Sequence, residues 1–70
     1  MADTLVTTLK EERARLGWTQ AELAERVGVS RKTVNTVENG VFVPSTLLAL
    51  ELAKALGTTV ESLFFLHEPL

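Results

Sequence analysis

Residues 18–40 read WTQAELAERVGVSRKTVNTVENG, and the punctuation of this stretch decides the fold. Gly28 tolerates the positive φ at which helices commonly end. Ser30, two residues on, carries a hydroxyl that caps a new helix by accepting from its free N–H groups. The spacing predicts one helix over 20–27, a corner filled by Val29, and a second helix over 31–38. The second stops at Asn39-Gly40, a pair tolerant of left-handed backbone. Ala21, Leu23, Ala24 and Val27 recur at helical spacing and are expected to form the buried side of the first helix. Ala24 is small, which lets the second helix cross closely, and Val34 and Val37 anchor that helix inward. Arg31, Lys32, Asn35, Thr36 and Asn39 then point away from the core; all are hydrogen-bonding residues and none is acidic.

Any surface helix has a polar outer face, so the face alone says little. Two short helices joined by a tight turn with this punctuation make a helix-turn-helix, and in most such units the second helix enters the DNA major groove. Readout there requires donors and acceptors that match base edges. Arg31 and Lys32 suit guanine O6 and N7, Asn35 suits adenine in bidentate fashion, and Thr36 offers its methyl to a thymine or its hydroxyl to a base. The N-terminus of the 20–27 helix points partial positive charge outward, which favours a phosphate there. Ser30 adds a candidate phosphate contact through its hydroxyl.

The segment resembles the phage-repressor and Cro-like helix-turn-helix proteins, also called the xenobiotic-response-element type. The matching pieces are Thr19-Gln20, Glu22-Leu23-Ala24, Val27-Gly28-Val29-Ser30 and Val37-Glu38-Asn39-Gly40. The resemblance continues through Pro44-Ser45 and Leu52-Ala53-Lys54-Ala55-Leu56-Gly57 to Val60-Glu61-Ser62-Leu63-Phe64, so that it covers roughly Leu5 to Phe65. It implies base contacts from Arg31, Lys32, Asn35 and Thr36. It also implies that Gln20 touches a phosphate and braces the first residue of the recognition helix, and that Asn39 contacts phosphate. Arg13 and Glu38 match the positions of an internal ion pair in the resembling repressors.

Composition sets outer limits. Seventy residues make one domain, 1–70, and the absence of cysteine removes disulfides and thiolate metal sites. No apolar run approaches the ~18 residues of a membrane span, and the N-terminus has no positive n-region, so a soluble, cytoplasmic, prokaryotic or phage-like protein is expected, nucleoid-associated when bound. The net charge of −2 is unusual for a DNA binder. Its distribution matters more: residues 1–37 hold six Lys/Arg against five acids, whereas residues 38–70 hold one against four. Few phosphates can be neutralised, so non-specific affinity should be weak. There is no glycine-rich phosphate loop, no HExxH, and a lone His67 that reads as a surface residue, so no enzyme, metal or cofactor is expected.

Outside the central unit, Leu5, Leu9, Arg13 and Leu16 fall on one stripe and predict a first helix over 4–16. Arg13 in an apolar stripe calls for a partner, with Glu38 the candidate, unless its head reaches solvent. Trp18 reads as a filler beside the corner between the first two helices. After an apolar loop, Val41-Phe42-Val43, Pro44 precedes a fourth helix over 46–56 with Ser45 or Thr46 as its cap. Gly57 ends it, and Thr58-Thr59 caps a fifth helix over 60–65, giving an all-α, five-helix bundle. In the fourth helix, Leu48 or Ala49 with Leu52, Ala53 and Leu56 can face the core.

Leu47 and Leu50 then have no place inside so small a domain, and Phe65, Leu66 and Leu70 form a second apolar surplus. Either the tail folds back onto the core, or these residues form a homodimer interface through the C-terminal helices. The second alternative places two recognition helices before two half-sites of a palindromic operator. The functional expectation is a sequence-specific, double-stranded-DNA-binding repressor, with activation through the acidic face of helices two to four as the alternative mode. The competing class is an antitoxin-like protein-interaction module in which DNA binding is secondary.

Overall fold

Hydroxyl side chains start most of the helices in the computed structural model, which describes residues 4–67. Thr19, Ser30, Ser45 and Thr59 each accept a hydrogen bond from the backbone N–H three residues on. They open α2 (Gln20–Val27), α3 (Arg31–Glu38), α4 (Thr46–Leu56) and α5 (Val60–Leu63). At α2 the cap is reciprocal, because the Glu22 carboxylate accepts from the Thr19 N–H at 2.8 Å. This contact holds the Glu22 carboxyl below its usual range. Gly28 closes α2 at φ +74°, the left-handed region a side chain would resist. Asn39 keeps φ −88° after α3, and Gly40 takes the positive φ.

α1 spans Leu9–Arg15 rather than starting at residue 4, and the chain before it is a strand, β1 (Thr4–Thr7). Thr8 decides this boundary. Its hydroxyl donates to the Ser62 carbonyl at 2.7 Å, and its backbone N–H donates to the Leu63 carbonyl at 3.0 Å. Both bonds lay the β-branched run Thr4, Val6, Thr7 and Thr8 along the C-terminal segment instead of letting it coil. That segment is β2 (Phe64–His67), so α5 ends at Leu63 and not at residue 65. β1 and β2 pair antiparallel with Leu5 opposite Leu66 and Val6 opposite Phe65. The architecture is five helices plus this small two-stranded sheet.

The core gathers Leu9, Leu23, Ala24, Val34, Val37, Leu52, Ala53, Leu56 and Leu63, with Trp18, Val27, Leu48, Val60 and Phe64 packed around it. Of the apolar positions on the predicted first stripe only Leu9 is buried; Leu5 and Leu16 are each 36 % exposed. Ala21 is exposed. Gln20, which stands at i, i+3, i+4 and i+7 to Leu23, Ala24 and Val27, occupies the inner side of α2 in its place. In α4, Ala49, Leu52, Ala53 and Leu56 are buried while Leu47 and Leu50 remain 70 % and 55 % exposed.

Candidate nucleic-acid interface

α3 buries Val34 and Val37 and turns Arg31, Lys32, Asn35 and Asn39 to solvent. Thr36 is half-buried, and its hydroxyl donates to the Thr33 carbonyl at 3.0 Å, which leaves its methyl and the oxygen's lone pairs for an outside group. The Ser30 hydroxyl accepts from the Thr33 N–H at 3.1 Å and lies 3.0 Å from the Thr33 hydroxyl.

A polar network beneath α3 holds its position. Arg13 Nε donates to Glu38 Oε2 at 2.6 Å and Nη2 to Glu38 Oε1 at 3.3 Å, while Nη1 donates to the Trp18 carbonyl at 2.6 Å. One side chain on α1 thereby ties the end of α3 to the α1–α2 corner. The Glu38 side chain is 1 % exposed and that of Arg13 15 %. Withdrawing such a carboxylate from water is costly unless its oxygens are bonded, and here both are. The hydrogen bond to Glu38 raises the Arg13 pKa and so favours the charged guanidinium. Trp18 packs against the core and carries the Arg26 guanidinium over its ring, 4.0 Å from the centroid.

Gln20 joins this network. Its Nε2 donates to Glu38 Oε1 at 3.0 Å and to Asn35 Oδ1 at 3.1 Å. The residue it braces is therefore Asn35, one turn into α3, rather than Arg31 at the start. Both N–H groups of its amide are engaged inside the protein, which leaves its Oε1 and the uncapped first backbone N–H groups of α2 without a partner among the described residues. The inner role of Gln20 had a signal in its i, i+3, i+4, i+7 spacing to the apolar residues of α2, which the apolar pattern alone passes over.

Two acidic residues of the C-terminal half are placed away from this face. Glu61 lines an open groove of about 760 Å³ with Leu5, Val43, Leu50, Val60 and Phe64. Glu51 lines a shallower depression with Arg26 and Lys54, and no α3 residue contributes to either. Leu47, Leu50, Phe65 and Leu66 are exposed along α4 and β2, and Leu70 lies outside the described residues. Among the described residues no helix is long and apolar enough to cross a membrane, and no cluster of His, Cys, Asp and Glu is arranged for a metal.

Comparison with known proteins agrees with this geometry. The helix-turn-helix family profile matches residues 9–63, α1 to α5. The HTH-type transcriptional regulator YgzD of Bacillus subtilis is 50% identical over 60 residues, which span 86% of this chain and 91% of that protein. An HTH-type transcriptional regulator of Methanothermobacter thermautotrophicus is 49% identical over 63 residues, 89% of this chain and 91% of that protein. The crystal structure of the restriction-modification controller protein C.AhdI from Aeromonas hydrophila matches with a TM-score of 0.73 and 35% identity, covering 77% of this chain and 82% of that one. With the two capped helices, the left-handed corner between them and the outward polar face of the second all in place, the chain belongs to the Cro-like helix-turn-helix family of DNA-binding transcriptional regulators.

Proposed function

We propose that this protein is a sequence-specific repressor that binds a palindromic operator as a homodimer. The observation that carries the reading is the outer face of α3, where Arg31, Lys32, Asn35 and Asn39 are exposed and acid-free over a network that fixes the helix. In this reading Arg31, Lys32, Asn35 and Thr36 contact bases. Asn39, Ser30 and the α2 N-terminus at Gln20 hold phosphates, which position the protein without carrying sequence information. Repression follows from occupancy, because a dimer seated across a promoter excludes polymerase. The protein acts in the cytoplasm and without a cofactor.

The dimer reading is supported by Leu47, Leu50, Phe65 and Leu66, four large apolar side chains that the single chain leaves exposed. A two-fold axis through this region gives each copy one recognition helix and one half-site.

Selection of duplexes from a random library by the purified chain tests the function. The expected product is an inverted repeat whose half-sites lie about one helical turn, ~34 Å, apart. Sedimentation at tens of micromolar protein is expected to give twice the chain mass. An enriched single half-site together with a monomeric mass removes the dimer and the palindrome. No enrichment, with a stoichiometric protein partner recovered instead, removes the DNA reading in favour of an interaction module.

A further inference from the structure

The amide of Asn35 is oriented from inside the protein. Carboxylate oxygens only accept, so the atom Gln20 presents to Glu38 Oε1 at 3.0 Å is its Nε2 nitrogen. That nitrogen also lies 3.1 Å from one terminal atom of Asn35, which must then be the acceptor Oδ1. Shape alone does not distinguish the two ends of an amide. Here the distinction comes from the charge of Glu38, itself locked by Arg13, and is relayed through Gln20. Asn39 Nδ2 adds a second, longer contact to Asn35 Oδ1 at 3.4 Å. An amide oxygen has two lone pairs, and both of those on Asn35 are engaged. Its Nδ2 makes no hydrogen bond among the described residues and sits on an exposed side chain.

We infer that Asn35 reads DNA as a donor only, so that α3 selects guanine and discriminates against adenine at the base pair it faces. This rests on the reading of α3 as the base-contacting helix, and it replaces the bidentate adenine contact that the residue type alone suggests. Bidentate adenine recognition requires the asparagine oxygen to accept from N6 while its nitrogen donates to N7. With Oδ1 occupied, the N6 amine meets a second donor. Guanine presents two adjacent acceptors, N7 and O6, to the same Nδ2; thymine presents one at O4, and cytosine offers only a donor. Gln20 and Glu38 act here as positioning residues, setting which end of Asn35 faces the groove.

The test uses the full chain and its selected duplex, with affinity read by fluorescence anisotropy. The base pair in question is the one at which Asn35→Ala flattens the preference. There the wild-type protein is expected to bind guanine about tenfold more tightly than adenine, within the range of one specific base contact. Replacing that guanine by 7-deazaguanine is expected to remove most of the advantage. Gln20→Ala frees one lone pair of Oδ1, leaving only the longer Asn39 contact, so adenine should gain on guanine and the gap should narrow to about threefold or less, with a thermal melt confirming the fold. Adenine bound as tightly as guanine by the wild type overturns the inference, as does the absence of any position sensitive to Asn35→Ala. A folded Gln20→Ala with an unchanged gap overturns the relay. Should Gln20→Ala fail to fold, the wild-type base panel still decides between donor-only and bidentate readout. Binding with an adenine preference defeats only this inference, whereas failure to enrich any duplex defeats the DNA reading beneath it.

Discussion

Around α3, side chains are tied to one another. Arg13, Glu38, Gln20, Asn35 and Asn39 form one connected set of hydrogen bonds, and among the described residues no buried side-chain nitrogen or oxygen lacks a partner. Along α4 and the β1–β2 sheet, Leu47, Leu50, Phe65 and Leu66 are exposed, and Leu50 lines an open groove with Leu5 and Phe64. The first region is complete within one chain and presents a rigid face. The second is incomplete in the sense that its apolar groups gain nothing until something covers them. The two regions suit the two parts of the proposed function: a recognition helix must hold its geometry before DNA arrives, and an uncovered apolar surface can pair two chains.

The largest expected effect lies in the connected region. Glu38→Ala leaves the Arg13 guanidinium without its carboxylate in a mostly buried place and is expected to cost on the order of 3 kcal/mol, read by denaturant unfolding. That is a large share of the stability of a chain this short. The double variant Arg13→Met, Glu38→Leu should recover much of the loss, since neither charge is then stranded. A Glu38→Ala melt that matches the wild type would mean that the network contributes orientation and no stability.

Next in size is the division of labour on α3. Arg31→Ala should cost roughly 1–3 kcal/mol of operator affinity and relax preference at one base pair. Asn39→Ala should weaken all sequences about equally and lower the salt slope by about one unit. Uniform losses from both, across a panel of base substitutions, would erase the distinction between reading and positioning residues.

In the incomplete region the expected effect on the isolated chain is small. Leu50→Glu should leave monomer stability within about 0.5 kcal/mol of wild type, as for other exposed substitutions, yet abolish the dimer in sedimentation. If Leu50→Glu and Phe65→Glu both remain dimeric, the apolar groove has another use. The smallest effect concerns the cap of α2. The Glu22 pKa is lowered in the fold, so its contribution is present above the unfolded-state pKa and is lost as pH falls through the lower folded value. Glu22→Ala should therefore lower the melting temperature slightly in the neutral range and converge with the wild type in acid, which flattens the acid limb of the profile.

Local signals were strong where single residues dominate local geometry. Gly28 and Ser30 bound the turn, Ser45 and Thr59 cap α4 and α5, and the boundaries of α2, α3 and α4 follow from such residues without reference to distant parts of the chain. At the two ends the pattern misled. Leu5, Leu9 and Arg13 keep helical spacing, yet Leu5 belongs to a strand because Thr8 bonds to Ser62 and Leu63, more than fifty positions away. Phe65 likewise reads as the last turn of α5 until its pairing with Val6 is seen.

The candidate site divides along the same line. Which residues form the outer face of α3 was legible from the positions of Val34 and Val37, because helical periodicity ties each side chain's direction to its neighbours. What those side chains have left to offer was not legible. Asn35 is an asparagine with one donor end and one acceptor end in any sequence. Only in the folded molecule does Gln20, held by a carboxylate that Arg13 holds in turn, fill its acceptor. Sequence alone determined α2, α3 and α4, their caps and the outer face of α3, since those depend on contacts a few residues apart. The sheet, the hydrogen bonds still open at the site and the uncovered groove were decided by tertiary structure, since each depends on groups that meet only when distant segments pack.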